Sequence, residues 1–470
     1  MKAKIIFAAI ALGSCVMSPA KDVNVSSPNQ KLVVSINDNG GKASYSINYE
    51  GKTFLNSSRL GIVADAGNFA ENLSIAGSTT AKIDEKYSLS RSKTANAHYV
   101  ANQLKLELKN AKGQTMFVTF NVSDNDVAFR YSFPVLGGWN AMHVDSETTS
   151  FNIPSSSTAF IAPQSDPCSA WCRTQPAYEE VYSLDAPLDK KSQYGYGYTF
   201  PALFRVGNDG WMLISETGTD GGYAGCALSE YKNGEGYTVA FPSHGQNAGL
   251  GSDGCGLSLP ASTPWRTITV GSTLKPIVET TIPFDVVKAK YPASQNYAPG
   301  RYVWSWIIWQ DESINYDDQK AFIDMAAQMG YEYSLIDANW DVEKNIGRKR
   351  MAELSKYAAS KGVRLILWYN SNGSWNDAPQ TPRNLMNTVL QRRKEMKWLK
   401  ETGIAGIKVD FFGGDKQESM QLYEDILADA NDFGIFVIFH GCTLPRGWER
   451  MYPNFIASEA VRASENVYFN

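Results

Sequence analysis

The sequence has little of several features that mark large classes of proteins. Its 470 residues include only six cysteines and four histidines, and the formal net charge at pH 7 is −4. This weakly acidic balance argues against a nucleic-acid binder or a polybasic membrane-surface protein. No histidine lies near the cysteines at zinc-site spacing, and no run beyond the N-terminus is long and apolar enough for a transmembrane helix.

The first twenty residues have the pattern of a targeting segment. Lys2 and Lys4 precede an apolar stretch over residues 5–12, which is too short to span a membrane. Residues 18–20, Ser-Pro-Ala, resemble a small-residue cleavage site, so we predict a signal peptide over 1–20 and export to the periplasm. The alternative is a bacterial lipobox over 12–15, with Cys15 as a lipid anchor in the inner or outer membrane.

Export would permit disulfides among the remaining cysteines. Cys226 and Cys255 both lie in glycine-rich loops and are one plausible pair. Cys168 and Cys172, which flank Ser-Ala-Trp, are another. The sequence leaves the pairing open.

Residues 21–275 have the pattern of β-structure. Segments such as KLVVSIND and QLKLELKN alternate apolar with polar residues, and Asn, Asp and Gly stand at the breaks. Helical periodicity is nearly absent. Many short strands over this length predict a large β-sandwich, followed by a proline-containing linker over 276–300.

From residue 301 the pattern changes to alternating helices and strands. Four helical segments end at Gly330, Gly362, Gly403 and Gly434, where a helix C-cap favours a left-handed residue, and each leads into an apolar strand. With YVWSWIIWQ before these four strands and NFIASE after them, the strands number six, which predicts a doubly wound sheet or a (β/α)8 barrel. No glycine-rich phosphate loop follows any of them, which counts against nucleotide binding. Because a barrel needs eight strands, we predict that the barrel over 301–470 is incomplete, truncated after about six strands.

Carboxylates and aromatic residues stand at the ends of these strands, where barrel active sites lie. The series comprises Asp311, Asp337, Asp341, Trp368, Asp410, His440 and Glu459, with Glu465 just beyond. Any one of these acids could be a loop cap, but a buried aspartate such as Asp410 is costly unless it is paired or hydrogen-bonded. Glycoside hydrolysis needs two carboxylates across a pocket, so the set as a whole predicts an enzyme.

Several motifs together point to one family. SINYEGKTFLNSSRLGI in the first half, IDANW and GIKVDFFGGD in the second, and above all residues 406–465 resemble glycoside hydrolase family 97. The resemblance covers nearly the whole mature chain. It implies an exported bacterial α-glycosidase with an N-terminal β-supersandwich, a (β/α)8 TIM barrel and a small C-terminal β-domain. Set against that family pattern, we expect this sequence to lack the last barrel strands and the final domain.

Two positions separate the retaining from the inverting members of the family. Retaining members carry a nucleophilic aspartate at the end of barrel strand four, where this chain has Asp410. Inverting members instead use a glutamate directly after the histidine of strand five, and here Gly441 follows His440. The resemblance therefore implies a retaining enzyme with Asp410 as nucleophile and Glu465 as acid/base.

The same resemblance implies a Ca²⁺ site. It maps the ligands onto Glu459, Glu465 and a sandwich glutamate, for which we prefer Glu179, directly after Tyr178, to Glu180. Calcium prefers carboxylate oxygens. The alternative for Glu459 and Glu465 is an acidic helix start, and for Glu179 an ordinary surface position.

Three tryptophans, Trp340, Trp368 and Trp375, are candidates either for the pocket wall or for barrel packing. The predicted function is an exo-acting retaining α-glycosidase, most plausibly an α-galactosidase that acts on oligosaccharides or glycosides as a monomer. The alternatives are an α-glucosidase, a β-L-arabinopyranosidase, or a non-catalytic carbohydrate-binding fragment. The last follows from the incomplete barrel, which would expose strand edges.

Overall fold

A computed structural model describes residues 21–167, 177–371 and 376–467. The predicted signal peptide with Cys15, the Cys168–Cys172 pair and Trp375 lie outside these ranges. Within them, no helix is both long enough and apolar enough to cross a membrane.

The N-terminal half consists almost entirely of strands, because its apolar residues recur at every second position and bury one face of each sheet. The second strand, for example, alternates buried and half-buried residues throughout. In chain order the strands are β1 (Asp22–Ser26), β2 (Leu32–Asn37), β3 (Ser44–Tyr49), β4 (Lys52–Arg59), β5 (Ile62–Ala64), β6 (Gly67–Phe69), β7 (Ser74–Ser88), β8 (Asn96–Lys109), β9 (Thr115–Val122), β10 (Asp126–Phe133), β11 (Ala141–Glu147), β12 (Ser150–Phe151), β13 (Thr158–Ile161), β14 (Ser183–Pro187), β15 (Ala202–Val206), β16 (Gly210–Thr217), β17 (Ala227–Leu228), β18 (Tyr237–Ala240), β19 (Cys255–Ser258), β20 (Ala261–Ser262) and β21 (Trp265–Gly271).

These strands form antiparallel sheets around a shared apolar core. The largest sheet has the order β14-β13-β15-β16-β21-β10-β9-β8-β7, with β20 paired to β10. Smaller sheets have the orders β1-β2-β3-β4, β19-β11-β5-β6 and β12-β18-β17. One cluster of buried side chains extends from Val25 to Val270 and packs between them. The first half is therefore a sheet-rich domain, as the alternation predicts.

Two short helices, α1 (Lys275–Glu279) and α2 (Ile282–Asp285), lead into the second half, where strands and helices alternate. The elements are β22 (Tyr302–Trp304), α3 (Trp306–Trp309), α4 (Tyr316–Met329), β23 (Tyr333–Ile336), α5 (Gly347–Ser360), β24 (Arg364–Asn370), α6 (Val389–Thr402), β25 (Gly406–Asp410), α7 (Gln417–Phe433), β26 (Phe436–His440), α8 (Trp448–Met451) and β27 (Phe455–Glu459). A 3-10 turn over Ser464–Val467 follows the last strand.

The six strands β22 to β27 form one parallel sheet in chain order. The sheet curls as a half-barrel does, and β22 and β27 are its two edges. The prediction of six parallel strands is confirmed. Across the described ranges the sheet does not close into an eight-stranded barrel, so the TIM-barrel prediction holds only as far as this half-barrel.

The glycines at the helix ends have the conformation that the sequence predicts. Gly330, Gly362, Gly403 and Gly434 have φ between 66° and 81°. A left-handed residue lets the last helical carbonyls find partners while the chain turns into the next strand. Because the six strands are parallel, their carboxyl ends all lie at the same edge of the sheet.

The two halves are joined by a buried polar cluster around Arg446. Its guanidinium is fully buried and forms an ion pair with Glu216 of β16. It also donates to the hydroxyl of Tyr178 (2.8 Å), which itself donates to Asp415 (2.6 Å). Because Glu179 directly follows Tyr178, this cluster anchors Glu179 to the loops after β25 and β26.

The candidate pair Cys226 and Cys255 does not form a disulfide. Both thiols are buried and free, as is that of Cys442. The sulfur atoms have other partners: Ala224 N donates to Cys255 Sγ (3.2 Å), and Arg266 donates to Cys226 Sγ (3.4 Å). Burial raises the pKa of Cys255 to about 12, which keeps that thiol protonated.

Candidate active site

Asp410 lies at the carboxyl end of β25, a strand that is buried along its whole length. Side chains alternate between the two faces of a strand, so Lys408 and Asp410 share one face while Ile407 and Val409 pack in the apolar core on the other. Asp410 is only 4 % exposed. A carboxylate in such a position requires hydrogen-bond donors around it.

Three donors hold the Asp410 carboxylate. Oδ1 accepts from the backbone N of Phe411 (2.8 Å) and from Nδ1 of His440 (3.0 Å). Oδ2 accepts from Nε1 of Trp368 (3.0 Å). Burial by itself would raise the pKa of Asp410, but the charges of His440 and Lys408 and these hydrogen bonds lower it to about 2. Asp410 is therefore an ionised carboxylate at neutral pH.

His440 lies between Asp410 and two glutamates. It ends β26, the neighbouring strand, and its Nε2 is 3.3 Å from Glu459 Oε2 and 3.4 Å from Glu465 Oε1. Burial favours neutral imidazole, but the negative charge of Asp410 outweighs it and raises the pKa of His440 well above its ordinary value. A single positively charged ring thus separates Asp410 from Glu465.

A second polar pair lies on the same face of the sheet. Lys408 Nζ is 3.3 Å from Asp337 Oδ2 and 4.2 Å from the ring centre of Trp304, whose Nε1 donates to Asp337 (2.8 Å). Burial opposes the charge of Lys408, yet Asp337 and Asp410 raise its pKa above the ordinary value. Sequence reasoning missed Lys408 and Trp304. The available signal was a lysine two residues before Asp410 in an otherwise apolar strand.

Glu179 reaches this cluster from the sheet-rich domain, on a 3-10 turn over Ala177–Glu179. Potential ligand atoms of Glu179, His440 and Glu465 all lie within 4.8 Å of one another. Oε1 of Glu179 is buried without a hydrogen-bond partner. Burial raises the pKa of Glu179 to about 8; the charges of Glu465 and Asp410 add to this, and that of His440 opposes it.

The structure groups two of the three predicted metal ligands. Glu179 and Glu465 are grouped as expected, with His440 as their third neighbour. Glu459 contacts the same Nε2 of His440 as Glu465 does. Glu180, the alternative to Glu179, instead accepts from the Tyr194 hydroxyl (3.3 Å). Clustered carboxylates with an unsatisfied buried oxygen fit a hard cation such as Ca²⁺, which prefers oxygen ligands.

The two described tryptophans of the predicted pocket wall have different positions. Trp340 is fully buried, stacks on Trp398 with ring centres 5.7 Å apart, and donates to the carbonyl of Trp368 (2.9 Å). It is a packing residue, and the pocket-wall hypothesis is wrong for it. Trp368 contacts Asp410 through its indole N–H and belongs to the site.

Comparisons with known proteins agree over both halves of the chain. The family model described as "Glycosyl-hydrolase 97 N-terminal" matches residues 25–288, and the model "Glycoside hydrolase 97" matches residues 298–461. A probable retaining alpha-galactosidase of Streptomyces bingchenggensis is 25% identical over 90% of this chain, which spans 62% of that protein's length. A retaining alpha-galactosidase of Bacteroides thetaiotaomicron is 24% identical over 95% of this chain and 68% of its own.

Solved structures include a much more similar protein. A crystal structure of a beta-arabinopyranosidase is 55% identical, with a TM-score of 0.94 over 96% of this chain and 72% of that one. A family 97 enzyme from Pseudoalteromonas sp. strain K8, in complex with panose, shares the fold at 21% identity, with a TM-score of 0.79 over 94% and 70% of the two chains. With both halves matched by the family models, the chain belongs to glycoside hydrolase family 97.

Proposed function

We propose that this protein is a retaining exo-glycosidase that removes terminal β-L-arabinopyranosyl or α-D-galactosyl groups by double displacement. The observation that carries the proposal is the Asp410 carboxylate. It is ionised, held by three donors and separated from a second carboxylate, Glu465, by one imidazolium ring. Retaining glycosidases use two carboxyl groups, one as nucleophile and one as acid/base.

In the first step, Glu465 protonates the leaving glycosidic oxygen as Asp410 attacks the anomeric carbon. The bond from that carbon to the leaving oxygen breaks, and an ester bond to Asp410 forms. The low pKa of Asp410 keeps the attacking group ionised. The indole of Trp368 and the ring of His440 fix its orientation, so that little motion is needed to reach the substrate.

In the second step, water attacks the same carbon from the opposite face. Glu465, now ionised, accepts the proton of that water, and the ester bond to Asp410 breaks. Two inversions at one carbon give net retention of the anomeric configuration. Gly441 follows His440, so the carboxylate that serves as base in inverting relatives is absent from that position.

The galacto configuration is supported by the named relatives. The 55% identical structure is a beta-arabinopyranosidase, and the two more distant relatives are alpha-galactosidases. The ring of β-L-arabinopyranose resembles that of α-D-galactose. A sugar bonded to Asp410 would present its hydroxyls to Lys408 and Asp337, which share that face of the sheet. A site that binds a substrate hydroxyl through buried polar groups rejects an epimer that lacks it.

A panel of 4-nitrophenyl glycosides tests the proposal. We expect the highest kcat/KM on the β-L-arabinopyranoside, lower turnover on the α-D-galactoside, and at least about a thousandfold lower turnover on the α-D-glucoside. Proton NMR of the first-formed sugar should show the substrate's own anomeric configuration. An initial product of inverted configuration, or oligosaccharide binding without any turnover, would contradict the proposal.

We further propose that Glu179, Glu459 and Glu465 hold a Ca²⁺ ion. The support is the surplus of negative charge at the cluster and the unpartnered Glu179 Oε1. A bound Ca²⁺ would supply positive charge that polarises the site and would keep Glu179 and Glu459 ionised. It would have to bind Glu465 weakly, because Glu465 must carry a proton in the first step. Since Glu179 belongs to the sheet-rich domain and the others to the parallel sheet, the three ligands would also connect the two halves.

Removal of calcium is expected to lower stability. A ligand present at 100 times its Kd stabilises a protein by about 2.7 kcal/mol, so a chelator should lower Tm by about 3–8 °C. Added Ca²⁺ should restore Tm and activity together. Differential scanning calorimetry measures the shift.

Glu179→Gln should have a lowered Tm that no longer responds to chelator. Glu180→Gln is the matched control, because Glu180 lies one residue further along the same loop and points to Tyr194. In Glu180→Gln, the chelator should lower Tm by as much as it does in the wild-type protein. A wild-type protein whose Tm and rate both ignore the chelator would contradict the metal assignment, and would leave Asp410 and Glu465 as the catalytic pair.

A further inference from the structure

Gly441 lies directly against the Asp410 carboxylate. It follows His440 at the end of β26 and has φ 48°, in the left-handed region. A β-carbon built on Gly441 would lie 2.7 Å from Asp410 Oδ1 and 3.2 Å from the backbone N of Phe411. The first distance is well inside van der Waals contact, so even alanine cannot occupy this position without moving one of its neighbours.

We propose that Gly441 is a positioning residue: the space left by its missing side chain is the space that the Asp410 carboxylate occupies. Side chains at position 441 and a correctly placed carboxylate at 410 then exclude each other. This inference rests on the proposed function, because it concerns the placement of the proposed nucleophile.

The Asp410 carboxylate cannot move away from a methyl group at position 441 without losing hydrogen bonds. Oδ1 is the oxygen that the methyl group would meet, and it is the one that accepts from Phe411 N and His440 Nδ1. Phe411 has φ 67° and cannot easily follow, since its carbonyl accepts from Ser371 Oγ (2.7 Å) and Asn376 Nδ2 (3.1 Å). A displaced Oδ1 would therefore lose both of its hydrogen bonds.

The backbone of Gly441 is equally constrained. Its carbonyl accepts from Phe412 N (3.0 Å), which ties it to the loop after β25. His440 precedes it and contacts Asp410, while the buried Cys442 follows it. If the backbone of residue 441 moved away from Asp410, His440 would move with it. The clash is therefore relieved only by a movement, of Asp410 or of residue 441, that disturbs the hydrogen bonds of the carboxylate.

Gly441→Ala is expected to lower kcat at least a hundredfold, because a misplacement of about 1 Å at a reacting group costs that much. KM should change less than about threefold, since Lys408 and Asp337, the proposed sugar contacts, remain in place. Steady-state kinetics with 4-nitrophenyl β-L-arabinopyranoside and α-D-galactoside measures the two parameters.

Gly330→Ala is the matched control for backbone strain. Gly330 has φ 66° and ends α4, yet a β-carbon added there meets no atom within 4 Å. The control variant therefore carries the strain of a left-handed alanine without a steric clash. Its kcat should stay within twofold of wild type.

A diffusible nucleophile separates displacement of the carboxylate from general damage to the site. In Asp410→Gly, azide can attack the anomeric carbon of a 2,4-dinitrophenyl glycoside; a carbon–nitrogen bond forms and dinitrophenolate leaves. Azide can shift to avoid a methyl group, whereas a tethered carboxylate cannot. The azide-rescued rates of Asp410→Gly and Asp410→Gly/Gly441→Ala should therefore agree within about threefold, although alanine costs a hundredfold when Asp410 is present.

Each failure has a distinct signature. If Asp410→Gly keeps wild-type activity, the proposed function fails. Suppose instead that Asp410→Gly is inactive and is rescued by azide. The positioning role of Gly441 is then wrong if Gly441→Ala alone turns over at the wild-type rate. It is also wrong if the azide-rescued rate of Asp410→Gly/Gly441→Ala is a hundredfold below that of Asp410→Gly. A crystal structure of Gly441→Ala gives a test that needs no turnover. The Asp410 Oδ1–His440 Nδ1 hydrogen bond should be broken, and an intact bond beside the new methyl group would overturn the inference.

Discussion

Asp410→Asn is expected to lower kcat by about 10⁴-fold or more, the scale seen when a nucleophile is removed from an otherwise intact site. The amide has nearly the same shape as the carboxylate and can still accept from Phe411 N through its oxygen. It carries no charge with which to attack the anomeric carbon, so the covalent intermediate cannot form. KM should change far less than kcat, because Lys408 and Asp337, the proposed sugar contacts, are untouched.

Steady-state kinetics on the β-L-arabinopyranoside and the α-D-galactoside measures this loss, and circular dichroism establishes that the variant is folded. Asp341→Asn is the matched control. Asp341 follows β23, which lies two strands away from β25, and accepts from Thr381 Oγ1 (2.6 Å), so it lies at the same edge of the sheet without contacting Asp410. The control should stay within about threefold of wild type. More than 1% of wild-type kcat in Asp410→Asn, with the retained anomer still formed, would rule Asp410 out as nucleophile.

Glu465→Gln is expected to have an effect that depends on the leaving group. A general acid contributes about 10²–10⁴-fold when the leaving oxygen is basic. Oligosaccharides and alkyl glycosides should therefore lose about 10³-fold in kcat/KM. A 2,4-dinitrophenyl glycoside needs little protonation of its leaving group, and its kcat/KM should fall less than about tenfold.

A plot of log kcat/KM against leaving-group pKa measures this dependence, which should be steep for Glu465→Gln and shallow for wild type. Glu459→Gln is the control, because Glu459 also contacts His440 Nε2 and is a proposed metal ligand, but is not the proposed acid. Any loss in the control should be the same for every leaving group. A uniform loss in Glu465→Gln would show that Glu465 is a metal ligand or structural residue instead of the acid/base.

Local sequence patterns predicted the secondary structure of this protein well. Period-two alternation gave the strands of the first half, and glycines after apolar helices marked four of the helix ends, because strand pleat and helix capping depend on neighbouring residues alone. The position of Asp410 at a strand end was predictable for the same reason. The sequence also predicted a barrel left incomplete after about six strands, and the structure shows six parallel strands curled as a half-barrel. A full TIM barrel is not confirmed in the described residues, and how far the sheet curls depends on contacts that no local pattern encodes.

Contacts between distant residues decided the rest. The free thiols of Cys226 and Cys255 and the packing role of Trp340 follow from which atoms meet in the folded core, and spacing along the chain does not show this.

The site itself was predicted only in part. The sequence by itself, through its family motifs, determined which residue types are available for catalysis: Asp410 at a strand end, Glu465 beyond the last strand, and glycine after His440. Only the tertiary structure placed His440 between the two carboxylates, 30 residues from Asp410, and brought Glu179 to them through the anchor of Tyr178 on Asp415, 237 residues away. The physical reason is the range of the forces involved. Helix capping and strand alternation act between neighbours in sequence, whereas the charge on Asp410, the charge on His440 and the space at Gly441 depend on which groups are close in the folded chain.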